Sequence, residues 1–188
     1  MHWLQRRRAQ KRTDAELVQR VRDGRRNEYA ELMRRHQDVL YRHARGMGLD
    51  HDTGLDLVQD SFIKAFTRLN ECHNPDRFRA WLFRIARNVC LDHLKNVRRL
   101  TIPLSAVPYA ENLAADTHDV DLSNTLREAL ASLPEALREA FLLKHDANWT
   151  YEEIAELTEA SPSAVKMRVH RAREAMREFL IENGVHAA

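Results

Sequence analysis

Two segments of this 188-residue chain carry basic side chains at helical spacing. Phe78 to Arg99 holds Arg79, Arg84, Arg87, Lys95, Arg98 and Arg99 against Asp92. Ser161 to Arg177 holds Lys166, Arg168, Arg171, Arg173 and Arg177 against Glu174. Between them, Leu100 to Asn124 contains Glu111, Asp116, Asp119 and Asp121 and no Lys or Arg. Guanidinium and ammonium groups so arranged neutralise phosphates and bond to base edges. The pattern suggests a long polyanion gripped at two places, with DNA the first candidate. The net charge is only +2, so the distribution of charge carries this reading and its total does not.

Residue types that do covalent or acid–base chemistry are present but unorganised. His36, His43, His51, His73, His93, His145 and His170 are scattered, with no Ser/His/Asp order, ligand cluster or Gly-rich phosphate loop around them. Cys72-His73 and Cys90-x-x-His93 lack a second pair at finger-like spacing, and a structural zinc site needs four ligands. No catalytic residue, no metal and no cofactor are expected, and an enzyme is the weakest reading. Two thiols behind an N-terminus with no apolar core (MHWLQRRRAQKR) suggest a reducing compartment, the cytoplasm. No apolar run approaches the roughly 20 residues that span a bilayer, so no membrane insertion is expected.

The elements that must position the basic faces read as helices. Gly and Pro are sparse, and nothing resembles a strand-rich run. Thr13 with Glu16 forms a capping box, and an apolar stripe begins at Leu17 and Val21. It resumes beyond Asp23-Gly24 with Tyr29, Leu32, Met33, Val39 and Leu40, and the Gly46–Gly54 region breaks it. A third helix is expected from about Leu55 to Leu69, with Val58, Phe62, Ala65, Phe66 and Leu69 inward. Asp56, Gln59, Asp60 and Ile63 fall largely on other faces. After the Asn74-Pro75 turn, a fourth helix points Phe78, Leu82, Ile85 and Val89 inward and leaves Arg84, Arg87, Asn88 and Lys95 available. Residues 100–124 lack periodicity and read as an extended linker. Beyond it, Leu126, Leu130, Leu133, Leu137, Phe141 and Leu142 form a second core stripe, interrupted at Ser132-Leu-Pro-Glu135.

The sharpest local pattern follows. Thr150 with Glu153 caps a short helix containing Ile154, Ala155 and Leu157. Ser161-Pro162 opens the next, with Ser as N-cap and Pro at the first helical position. This is the outline of a helix-turn-helix. Ala155 permits close approach and Val165 and Val169 turn inward, while Lys166, Met167, His170 and Arg171 lie on or near the outer face. Ser161 and Ser163 sit where a phosphate meets free N–H groups. Glu159 occupies the turn position that usually holds Gly, which predicts an altered turn geometry.

Taken together, the chain resembles a bacterial extracytoplasmic-function (ECF) sigma factor from about Thr13 to Leu180. Asp56-Leu-Val-Gln-Asp-Ser-Phe-Ile-Lys-Ala-Phe66 looks like region 2.2, which docks on the clamp coiled coil of the largest RNA polymerase subunit. Phe78-Arg-Ala-Trp-Leu-Phe-Arg-Ile-Ala-Arg-Asn88 looks like regions 2.3 and 2.4, which open and read the −10 element. Leu130-Ala-Ser-Leu-Pro-Glu135 looks like the start of region 4. Tyr151-Glu-Glu-Ile-Ala155 through Val165-Lys-Met-Arg-Val-His-Arg-Ala-Arg173 looks like the −35 reader.

The resemblance implies an all-α fold of two small helical domains joined by a flexible linker. A basic tail (1–12) precedes a region 2 domain (13–99); an acidic linker (100–124) leads to a region 4 domain (125–183). It implies that Asp56, Gln59, Asp60 and Ile63 contact core RNA polymerase. It assigns Asn74, Arg77, Trp81, Arg84, Arg87, Asn88 and Lys95 to the −10 region, where bases leave the stack and are held on the protein. Trp81 is also expected to belong to the core. It assigns Ser161, Ser163, Lys166, Met167, Arg168, His170, Arg171 and Arg173 to the −35 duplex. Asp116, Asp119 and Asp121 would thread toward polymerase channels, and an anti-sigma factor would hold the protein inactive. The rival reading, a stand-alone dimeric helix-turn-helix regulator, explains Ser161 to Arg173 but leaves Asp56 to Arg99 unused.

Overall fold

The computed structural model describes residues 12–100 and 119–185, and among these every regular element is helical. Residues 1–11 of the basic tail and residues 101–118, with Asp116, lie outside the described residues. One bundle contains α1 (Asp14–Arg22), α2 (Tyr29–Gly46), α3 (His51–Thr67) and α4 (Phe78–Leu100). The other contains α5 (Asp119–Ser132), α6 (Glu135–His145), α7 (Tyr151–Thr158) and α8 (Pro162–Glu182).

Local chemistry sets the helix starts. Thr13 Oγ1 accepts from the Glu16 N–H at 3.2 Å, and the Glu16 carboxylate accepts from the Thr13 N–H at 2.7 Å. Asp14, in that first turn, then takes Arg35 at 2.9 Å and His36 at 2.7 Å, tying α1 to α2. The His36 bond is the largest influence holding the Asp14 carboxyl below its ordinary range.

α3 starts earlier than its apolar pattern suggests. Asp50 caps it by accepting from the Thr53 N–H at 2.9 Å, so Gly54 lies inside the helix. That glycine is buried beside the Tyr41 ring, where an added Cβ would sit 3.4 Å from Cε2. The break between α2 and α3 is instead made by Gly48, whose φ of 97° an L side chain rarely adopts. α5 likewise starts earlier than expected, at Asp119, inside the segment read as linker.

The first bundle buries Leu17, Val18, Leu32, Phe62, Phe78, Leu82 and Phe83. Two residues expected inside are exposed instead. Phe66 is 36% exposed, resting edge-on against Tyr29 with ring centroids 4.9 Å apart. Val58, Phe62, Ala65 and Leu69 already fill the buried row of this helical stretch, leaving Phe66 on its rim. Leu126, in the first half of α5, is 43% exposed and borders a cleft instead of closing the core. Ile85 is half-buried against the core, not fully inside.

The two bundles are packed together. Phe83 of α4 meets Trp149, in the loop before α7, with ring centroids 5.4 Å apart at 71°. Leu142 of α6 joins Ala44, Met47, Leu49 and Cys90 in one apolar cluster. Gly46 makes this approach possible, because a Cβ there would lie 2.6 Å from a Leu142 methyl.

Candidate protein and nucleic-acid interfaces

Three surfaces carry the residues singled out by sequence. On α3, Asp56, Gln59, Asp60 and Ile63 follow i, i+3, i+4 and i+7 spacing and are all exposed. They therefore share one face, beside exposed Leu55 and Phe66. An open groove of about 970 Å³ runs between α2 and α3 here, lined by Tyr29, Met33, Tyr41, Leu55, Ile63 and Phe66. Tyr29 is anchored at its floor, its hydroxyl donating to the Phe62 carbonyl at 2.8 Å. Apolar side chains beside short acids offer a partner helix both an anchor and an electrostatic register.

The second surface is the loop before α4 and the outer face of α4. Asn74 Oδ1 accepts from the Asp76 N–H at 3.1 Å and shapes the turn. Asn88 and Lys95 are exposed. Trp81 is half-buried, packed against the core with its ring 5.9 Å from that of Phe78. The three arginines all face carboxylates of the second bundle, Arg77 and Arg84 from half-exposed positions and Arg87 from a largely buried one. Arg77 and Arg84 both approach the Glu156 carboxylate of α7, Arg84 at 4.0 Å. Arg87 grips both oxygens of buried Glu139 on α6, at 2.6 and 2.9 Å. The expectation that Arg87 lies available on an open face is thus corrected: α6 folds against α4 and supplies its counter-charge.

The third surface is α7 and α8. Thr150 and Glu153 complete the expected box at 3.2 and 2.8 Å, and Ser161 Oγ accepts from the Ala164 N–H at 3.2 Å. Ser161 Oγ also lies 3.0 Å from Ser163 Oγ, so the first hydroxyl already serves as the cap. Glu159 adopts φ 53° and ψ 42°, so the turn keeps the left-handed geometry without glycine. The expected change of turn geometry does not occur, because buried Ile154, Ala155 and Val165 hold the two helices in place. Lys166, Met167, His170, Arg171 and Arg173 are exposed and Arg168 is half-buried. Arg173 bonds His145 Nε2 at 3.1 Å across to α6. Burial first, then Arg173 and Lys144, lower the affinity of His145 for a proton.

Sequence reasoning missed the groups that join the bundles: Arg79, Trp149, Glu139, Glu156 and His43. The Arg79 guanidinium lies 4.3 Å from the centre of the Trp149 ring and also donates to the Ala147 carbonyl. His43 is buried edge-on to Phe83, at 4.9 Å between ring centroids. Burial, chiefly, drops its pKa to about 4. Both cysteines are buried and unpaired; burial raises the Cys72 pKa and pushes that of Cys90 up to about 12. Among the described residues no group of three His, Cys, Asp or Glu could hold a metal ion. Among them, too, no helix is long and apolar enough to cross a membrane.

Two family models match the chain: Sigma-70 region 2 over residues 32–100 and Sigma-70 region 4 over residues 123–176. The ECF RNA polymerase sigma factor SigE of Mycolicibacterium smegmatis is 35% identical over 84% of this chain, which spans 63% of that protein. The ECF RNA polymerase sigma-E factor of Haemophilus influenzae is 31% identical over 94% of this chain and 97% of its own length. Two solved structures share the fold. CnrH in complex with the cytosolic domain of CnrY has a TM-score of 0.69 at 28% identity, covering 91% of this chain and 99% of that one. The sigma factor RpoE of Bartonella quintana, solved with the anti-sigma factor NepR, has a TM-score of 0.63 at 26% identity, covering 80% and 96%.

With both sigma-70 regions matched in order and a relative aligned almost end to end, the chain belongs to the ECF family of RNA polymerase sigma factors. Its first bundle carries region 2 and its second carries region 4.

Proposed function

We propose that this chain binds core RNA polymerase in the cytoplasm and directs it to promoters, performing no chemistry of its own. One observation carries the reading: an exposed acidic and apolar face on α3 and an exposed basic helix α8 sit on separate bundles of one chain. Asp56, Gln59, Asp60 and Ile63 dock on polymerase, with the neighbouring groove receiving apolar side chains. Asn74, Arg77, Trp81, Arg84, Arg87, Asn88 and Lys95 hold the opened −10 strand, using Arg planes and amides against unstacked bases. Ser163, Lys166, Met167, Arg168, His170, Arg171 and Arg173 meet the −35 duplex, with Ser161 capping the helix that carries them. Residues 13–99 form the first functional unit and 125–183 the second, extended at its start by the early turns of α5.

Each bundle offers limited contact, so free protein binds promoters weakly. Polymerase supplies the geometry that makes the two sites act together through effective concentration. An anti-sigma factor is the expected regulator, a reading supported by the RpoE–NepR likeness.

The test is a pull-down of purified core polymerase without DNA. A one-to-one complex displaced by a second sigma factor is expected. Tight duplex binding by the chain alone, with no polymerase complex, would replace this reading with a stand-alone regulator.

A further inference from the structure

We propose that in the free protein the region 4 bundle caps the −10 face of region 2, its carboxylates occupying the arginines that would otherwise hold DNA. The inference rests on the assignment of Arg77, Arg84 and Arg87 to the −10 strand. All three are paired with the second bundle: Arg77 and Arg84 with Glu156, Arg87 with Glu139. The Nε–Nη2 edge of Arg87 is taken by both oxygens of Glu139, so that edge cannot grip a phosphate in the same two-pronged way while the pair holds. Glu139 and Glu156 therefore stand where backbone phosphates of the strand would, an internal mimic of the ligand.

The packing around these pairs gives the cap one defined seat. Trp149 is inserted between Phe83 and the Arg79 guanidinium. Arg42 of α2 reaches Asp146 at 2.8 Å, and Arg138 of α6 donates to the Met47 carbonyl at 3.2 Å. Gly46 admits Leu142 where any side chain would press on it. Charge pairs thus flank an aromatic plug on several sides, which specifies orientation as well as contact.

The same seat is built to release. Trp149 Nε1 and His43 Nε2 are buried in it without a hydrogen-bond partner, a cost that separation of the bundles removes. Arg77, Arg84 and Glu156 are each about half exposed, so their pairs are screened by water and salt and hold weakly. Docking of the α3 face on polymerase leaves region 4 free to find its own site. The exchange then transfers the three arginines from carboxylate to phosphate with no net loss of ion pairs.

The experiment compares the full-length chain with Glu139→Gln/Glu156→Gln and with a charge-matched control at exposed sites near the C-terminal end of α8, away from the seat, Glu178→Gln/Glu182→Gln. Small-angle X-ray scattering reads compactness. Fluorescence anisotropy reads binding to a 12-nucleotide labelled single-stranded DNA of randomised sequence. The seat variant should be more extended and bind the strand at least fivefold more tightly than wild type, and adding Arg77→Ala/Arg84→Ala should abolish the gain. Glu156→Gln alone, at an exposed site, should give a smaller gain in the same direction. An equal gain from the control pair, or an extended seat variant with unchanged affinity, would overturn the cap. Failure of the −10 assignment looks different. With the chain bound to core polymerase, Arg77→Ala/Arg84→Ala must weaken strand binding while the seat variant matches wild type. No effect of the arginine substitutions there would sink the assignment itself.

Discussion

Arg87 and Glu139 form a two-pronged ion pair that joins α4 of the first bundle to α6 of the second, with N–O distances of 2.6 and 2.9 Å. Both side chains are largely withdrawn from water, 19% and 7% exposed. A pair so placed couples strongly, since removing one partner strands the charge of the other. A double-mutant cycle with Arg87→Ala and Glu139→Ala, followed by urea unfolding, should return a coupling of about 2 kcal/mol. Additive single effects would mean that the bundles do not meet in solution.

Trp149 is the largest fully buried side chain among the described residues and contacts both bundles. Trp149→Ala should cost about 3–5 kcal/mol, read as a lower urea midpoint. Trp149→Phe keeps the ring contact with Phe83 and drops the unpartnered indole N–H, so it should cost far less. Equal losses from the two substitutions would contradict the packing described.

His43 makes stability depend on pH. Its pKa falls from an ordinary 6.5 to about 4, first through burial and then through Arg87, with Asp146 opposing. The unfolded chain therefore takes up a proton before the folded one does. Stability is full above about pH 6.5 and is lost as the pH falls toward 4. At pH 5 the expected loss is about 2 kcal/mol relative to neutral pH. His43→Gln should flatten that part of the profile in thermal melts, and an unchanged slope would remove His43 as its origin.

Glu159 holds a left-handed conformation without being glycine. Glu159→Gly relieves that strain and gives back part of the gain through a more flexible unfolded chain, for a net stabilisation of about 0.5–1 kcal/mol. A lower melting temperature for this variant would count against the turn geometry.

The docking and DNA surfaces should separate by mutation. Lys166→Ala or Arg171→Ala should weaken transcription from promoters that depend on the −35 element and spare the polymerase complex. Loss of a phosphate contact there should reduce the slope of log affinity against log salt by about one. Asp56→Ala with Asp60→Ala should do the reverse. Since all four side chains are exposed, circular dichroism should show each variant folded.

What the sequence determined by itself is local or periodic. The capping boxes at Thr13 and Thr150 and the Ser161-Pro162 start stand as read, because each cap involves groups within a few residues of one another. The shared exposure of Asp56, Gln59, Asp60 and Ile63 follows from helical spacing alone. The apolar pattern places the start of α3 too late, because the glycine at position 54 masks the local cap at Asp50, and its place inside the helix depends on the Tyr41 ring packed beside it.

The tertiary structure decided the rest. Periodicity says that a row of a helix is apolar, and only the neighbouring helices say how much of it they cover. That is why Phe66 and Leu126 lie at rims while Phe62 and Leu133 are buried. No pattern in the chain pairs Arg87 with Glu139, 52 residues away, or sets Trp149 against Phe83. Those contacts depend on how one folded bundle meets another, where shape and opposite charge must match at once.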